Sequence, residues 1–143
     1  MYLEHANITV KSLEAAKSFL ALAFPDFEER GRGYLHGDPK GGVWCHFGTD
    51  DTYVALQENS DHSPRQDTPY THDGINHIGF VVEDLEALMS RLREAGYEPT
   101  DASALEGHPW RRRAYFIDDN AFEWEFVEYV SESAAERNDY SHG

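Results

Sequence analysis

HANITVKSLEAAKSFL, residues 5–20, returns later in the chain as HIGFVVEDLEALMSRL, residues 77–92. A shift of 72 positions lays His5 on His77, Val10 on Val82, Leu13 on Leu85, Glu14 on Glu86, Ala15 on Ala87, Ser18 on Ser90 and Leu20 on Leu92. Both copies read as a short strand opening on histidine, a turn, and an amphipathic helix. One supersecondary unit is used twice, and that fixes the architecture before any other feature is weighed.

Working outward from the repeat, Ser12 and Asp84 stand just ahead of the apolar periodicity, where an N-cap side chain satisfies free backbone N–H groups. Leu85, Leu88, Met89, Leu92 and Ala95 form one stripe at helical spacing, and Gly96 follows as a stop. Leu13, Ala16, Leu20 and Ala23 do the same in the first copy, with Pro25 ending the segment. After the first helix, strands are expected at Gly33 to His36, Val43 to Phe47 and Thr52 to Glu58. After the second they are expected at Tyr97 to Asp101, Arg111 to Ile117 and Phe122 to Val130. Each half therefore reads β-α-β-β-β. The expected fold is α+β, with modules at 1–58 and 75–130, a polar proline-bearing linker at 59–74 and a frayed tail at 131–143.

The 143 residues suit one structural domain with a real core, since 40% are hydrophobic. A formal net charge of −15 repels phosphate backbones and anionic lipid surfaces, which argues against nucleic acid and membrane partners. Cys45 is the only cysteine, so no internal disulfide can form, and its apolar strand marks it as a core thiol. The first residues lack the basic start and apolar run of a signal peptide, and no stretch is long enough to cross a bilayer. A cytoplasmic protein is expected.

Alternation along strands decides which side chains share a face. With Ala6, Ile8 and Val10 packed under the helix, His5, Asn7 and Thr9 look the other way. In the last strand Phe122, Trp124 and Phe126 are the packing set, leaving Glu123, Glu125 and Val127 on the face of the histidines. A buried-side carboxylate is costly unless it has a partner.

Paired modules opening in His-x4-Val, and a closing Asp118-Asp119-Asn120-Ala121-Phe122-Glu123-Trp124-Glu125-Phe126, resemble the vicinal oxygen chelate superfamily over about residues 1–130. Glyoxalase I, fosfomycin-resistance thiol transferases, extradiol dioxygenases and bleomycin-resistance binders belong to it. The resemblance implies a curved mixed sheet enclosing a cavity, with helices outside. It places His5, His77 and Glu125 on three positions for one divalent metal ion, which could be Fe²⁺, Mn²⁺, Zn²⁺ or Ni²⁺. Ala55 falls where glyoxalase I carries a further ligand, and alanine cannot bind metal; Gln57 lies one pleat along on the same face. The closing turn departs from the usual D-P-D-G-N in lacking the proline and glycine. The spacing of His108, Tyr115, Asp118 and Glu125 is also similar to the extradiol signature, which makes Tyr115 and His108 candidate catalytic groups, although Ala114, Asp119 and Ala121 depart from it.

Asn7, Thr9, Tyr53, Ala55 and Arg113 are expected to line the substrate cavity, with an inward arginine able to hold a carboxylate or phosphonate. His36, His46, His62, His72 and His142 have no counterpart in the repeat and are read as ordinary. The expected function is metal-dependent chemistry on a small oxygen-bearing molecule by Lewis-acid activation, in a homodimer. The alternative is a metal-free protein that sequesters a small molecule, as bleomycin-resistance proteins do.

Overall fold

The computed structural model describes residues 1–61, 70, 74–101 and 107–142. The chain falls into two compact units, Met1–Thr68 and Pro69–Gly143. Most of the expected 59–74 linker lies outside the described residues.

The first unit contains β1 (His5–Thr9), α1 (Leu13–Ala23), β2 (Glu28–Tyr34), a single 3-10 turn at Leu35–Gly37, β3 (Gly42–Gly48) and β4 (Tyr53–Asn59). Its sheet has the order β1-β4-β3-β2. β1 runs parallel to β4, and β4–β3 and β3–β2 are antiparallel. The second unit contains β5 (His77–Val81), α2 (Leu85–Glu94), β6 (Arg111–Ile117), β7 (Glu123–Tyr129) and a short α3 (Ala134–Arg137). Its sheet has the order β5-β7-β6, again with the opening strand parallel to the closing one. The fold is α+β, built from two βαβββ-like modules with mixed sheets.

Both helices begin where the caps predict. Ser12 Oγ accepts from the Ala15 N–H at 3.2 Å, and Asp84 Oδ1 accepts from the Ala87 N–H at 2.9 Å. A second device repeats across the modules. The Glu58 carboxylate accepts the Leu13 N–H at 2.8 Å, and Glu128 accepts the Leu85 N–H at 3.1 Å. Each closing strand thus sends a carboxylate to the start of its own helix, where free N–H groups and the helix dipole favour negative charge. Leu13, Ala16, Phe19 and Leu20 are buried on α1, as are Cys45, Phe47, Val54 and Leu56 on the sheet beneath. Leu85, Leu88, Met89 and Leu92 are buried on α2, with Ala114, Phe116, Trp124 and Phe126 on the second sheet.

Four expectations need correction. Tyr97 to Asp101 forms no strand: Gly96 turns the backbone at φ +95°, Pro99 has no N–H to give, and the Thr100 N–H reaches the Tyr115 carbonyl at 2.8 Å. Ala95 ends α2 as an exposed cap rather than extending its stripe. β2 begins at Glu28, well before Gly33, and stops at Tyr34 where the 3-10 turn takes over. The tail is not wholly frayed, because α3 forms and Arg137 lies over the Tyr129 ring at 5.2 Å. Among the described residues no helix is long and apolar enough to cross a membrane.

Candidate metal and substrate site

His77 opens β5 and lies opposite Glu123 on β7; two residues on, Gly79 lies opposite Glu125. Alternation therefore puts His77, Glu123 and Glu125 on one face, while Trp124 and Phe126 fill the core. A Cβ at Gly79 would meet Glu125 Oε2 at 3.3 Å. The missing side chain leaves the carboxylate room to lie across β5, where Oε2 stands 3.1 Å from His77 Nε2. On the other side, β6 pairs Tyr115 with Glu125, and the Tyr115 hydroxyl donates to Glu125 Oε1 at 2.7 Å. Burial, reinforced by that bond to a carboxylate, pushes the Tyr115 phenol well above its ordinary range, so it remains a proton donor.

A second phenol completes the cluster. The oxygen of Tyr70 lies 2.9 Å from His77 Nδ1 and donates to Glu123 Oε2 at 2.5 Å. The hydrogen bond to Glu123 holds the Tyr70 phenol up at about 12. Beside these groups is a cavity of about 260 Å³ lined by Tyr70, Thr100, Asp101, Arg113, Tyr115 and Glu123. That is below the roughly 300–1,000 Å³ of drug-sized sites, so it suits a ligand of few heavy atoms. The three consecutive arginines go separate ways: Arg111 stacks over Tyr140 at 5.0 Å, Arg112 pairs with Glu128 at 2.6 Å, and Arg113 lines the cavity.

The donors suit a divalent ion. Two ligands about 2.0–2.2 Å from one metal and at right angles to each other are about 3 Å apart, and the His77 and Glu125 atoms stand 3.1 Å apart. An imidazole lone pair and a carboxylate oxygen come this close only around a cation, whether proton or metal. Among the described residues no group of three or more His, Cys, Asp or Glu side chains is gathered to hold a metal ion. What the structure brings together is a pair.

The other expected site residues fall elsewhere. In the first unit, His5 is stacked on Tyr53 at 4.7 Å between ring centres, with Nδ1 3.0 Å from Glu4 Oε2. Asn7 and Thr9 are exposed beside it, in register with Ala55 and Gln57. Ala55 is buried and Gln57 half-buried. His108 has both ring nitrogens on backbone: Nδ1 accepts the Trp110 N–H at 3.2 Å, which leaves Nε2 to donate to the Asp139 carbonyl at 2.7 Å. It is not among the residues gathered around His77.

Sequence reasoning overlooked three groups. Tyr70 sits in an aperiodic polar stretch with no signal to single it out. Gly79 acts through the space it leaves. His46 pairs with Ala55 just as Tyr115 pairs with Glu125, so it is Tyr115's counterpart in the first module. Its ring packs against Trp44 and Tyr53 at 4.9 and 4.6 Å, and burial lowers its pKa.

Residues 2–126 match the family model of the Glyoxalase/Bleomycin resistance protein/Dioxygenase superfamily. The chain belongs to that superfamily. A glyoxylase/bleomycin resistance protein/dioxygenase domain from Frankia sp. EAN1pec is similar at 20% identity and a TM-score of 0.74, over 93% of this chain and 95% of that one. A glyoxalase family protein from Bacillus cereus is similar at 19% identity and 0.74, over 90% and 94%. The fosfomycin resistance protein FosX of Listeria monocytogenes, solved with Mn(II) and a sulfate ion, is similar at 20% identity and 0.68, over 96% and 98%. At these identities the likeness shows the shared fold. No curated protein matches the chain.

Proposed function

We propose that this superfamily member is a metal-dependent enzyme acting on a small oxygen-bearing substrate. His77 and Glu125 supply two ligands to one divalent ion. The observation that carries the reading is the approach of His77 Nε2 to Glu125 Oε2 at 3.1 Å beside a small polar cavity. That the Listeria relative was solved with Mn(II) supports it. A bound ion would supply Lewis-acid polarisation of a substrate oxygen. The chain's own groups do the rest: Arg113 receives an anionic substituent, Tyr115 orients Glu125 and presents a hydroxyl, and Asp101 and Glu123 accept hydrogen bonds from substrate hydroxyl or ammonium groups.

Elemental analysis after mild purification tests this directly. About one divalent ion per chain is expected, lost in both His77→Ala and Glu125→Ala without loss of helical circular dichroism. Retention of the ion by both variants overturns the assignment. The presence of two gathered donors rather than three favours a second reading, a metal-free protein that sequesters a small molecule. Saturable ligand binding unaffected by chelator would establish that reading in place of the first.

A further inference from the structure

The open face of the second sheet changes charge along its length. Ala114 and Phe116 on β6, with Trp124 and Phe126 on β7, are fully buried. Alternation therefore turns Arg111, Arg113, Val127 and Tyr129 to the same side as Tyr115 and Glu125. The carboxylates of Glu123 and Glu125 stand at one end. Toward the other comes Arg113, which lines the cavity, and then Arg111, about 7 Å further along β6 by the rise of a strand. Arg137 of α3 joins that end, its guanidinium over the ring of Tyr129, which is the strand partner of Arg111.

In the whole chain 27 acidic side chains face 12 Lys and Arg, and Lys17, Arg32, Arg93 and Arg112 all have carboxylate partners. Among the described residues, the guanidinium groups of Arg111, Arg113 and Arg137 have no ion pair or hydrogen bond. Arg111 Nε is buried without a hydrogen-bond partner. Glu136 and Asp139, the carboxylates beside Arg137 and Tyr140 in sequence, are bonded to Ser131 and Ser141 instead. What holds Arg111 and Arg137 is the face of a tyrosine ring, at 5.0 Å for Tyr140 and 5.2 Å for Tyr129. Stacking fixes the plane of a guanidinium yet leaves its in-plane N–H donors unspent. A cationic donor taken out of water without an acceptor costs free energy that a bound anion would return.

We propose that Arg111 and Arg137 form a second anion subsite, so that the substrate is a small dianion with one acidic group on Arg113 in the cavity and another, carboxylate or phosphonate, beyond it. The inference rests on the reading of the site above for where the reacting oxygen lies, whereas the arrangement of charge stands without a metal.

Calorimetric titration of chelator-treated protein at low salt separates the two. Adipate, and its analogue with one carboxylate replaced by phosphonate, carry two acidic ends; hexanoate, of like length, carries one. The dianions should bind about tenfold more tightly than hexanoate, and the tighter of them names the far acidic group. Arg111→Gln should bring both down to the level of hexanoate and leave hexanoate unchanged. Equal binding of hexanoate and the dianions by wild type, no saturable binding of either dianion, or a preference that survives in folded Arg111→Gln overturns the proposal. Should that variant fail to fold, Arg137→Gln takes its place, with a weakened preference for dianions required. A dianion preference in a protein that purifies without a divalent ion would overturn the metal reading and leave the subsite standing.

Discussion

At the scale of single residues, two small side chains set the geometry of the closing strand. Ala121 adopts φ +61°, the left-handed region that costs a residue with a Cβ about 1–2 kcal/mol. It does so because Asp118 gathers the turn. The buried carboxylate accepts the Asn120 and Phe122 N–H groups at 2.9 Å and the Trp124 indole at 3.2 Å. Burial raises the Asp118 pKa against the pull of those bonds. Ala121→Gly relieves the backbone and should stabilise the fold by about 0.5–1 kcal/mol after the added flexibility of the unfolded chain is offset, read as a higher thermal midpoint. Gly79→Ala should do the opposite to the site and nothing to the fold. Its methyl pushes on Glu125, and Mn²⁺ affinity measured by calorimetry should fall on the order of tenfold with an unchanged melting curve. Cys45 is fully buried, and desolvation lifts its thiol to about 11. It should stay inert to a disulfide reagent until the protein is denatured.

Several carboxylates tie one secondary-structure element to another across the apolar core, and these give the molecule its response to acid. Glu29 on β2 bonds Arg32 at 3.1 Å and Lys17 on α1 at 2.6 Å, while Arg32 reaches Glu14 on α1 at 2.5 Å. Arg32 first, then Lys17, hold the Glu29 carboxyl down at about 2. A carboxyl lower in the folded than in the unfolded chain stabilises above its unfolded pKa, near 4.5, and that contribution disappears as pH falls toward 2. Because Glu29 is partly exposed, the effect is modest. Glu29→Gln should lower the melting temperature at pH 7 and converge with wild type near pH 2. Glu58→Gln and Glu128→Gln should each cost about 1 kcal/mol in chemical denaturation by weakening a helix start.

Much of this level was legible in the sequence. Helix starts follow from Ser12 and Asp84, and the parallel of Glu58 with Glu128 is readable when Val54–Glu58 is laid on Trp124–Glu128. What escaped had no periodic trace: EERGRGY in β2 is polar and glycine-rich, AAER in α3 is too short to show a stripe, and Tyr70 acts by one hydroxyl. The shared face of His77 and Glu125 was expected from alternation, whereas the hydrogen bonds around them depend on rotamers that no spacing encodes.

On the scale of the whole molecule, a dimer remains an expectation of ours, to be measured by light scattering over micromolar concentrations. Chains of charge −15 repel one another, so a genuine two-fold dimer should tighten as salt is raised from low levels and the repulsion is screened. A monomer throughout that range refutes it.

The parallel pairing of each opening strand with its module's closing one also governs how the polypeptide comes to order during synthesis. β1 is translated before β4, its one sheet neighbour among the described residues, whose pairing begins with His5 against Tyr53. His5 must wait for some fifty further residues to be translated, and His77 likewise waits for Glu123. A nascent chain halted before either closing strand should leave the corresponding histidine open to protease, even with the helix that follows it fully made.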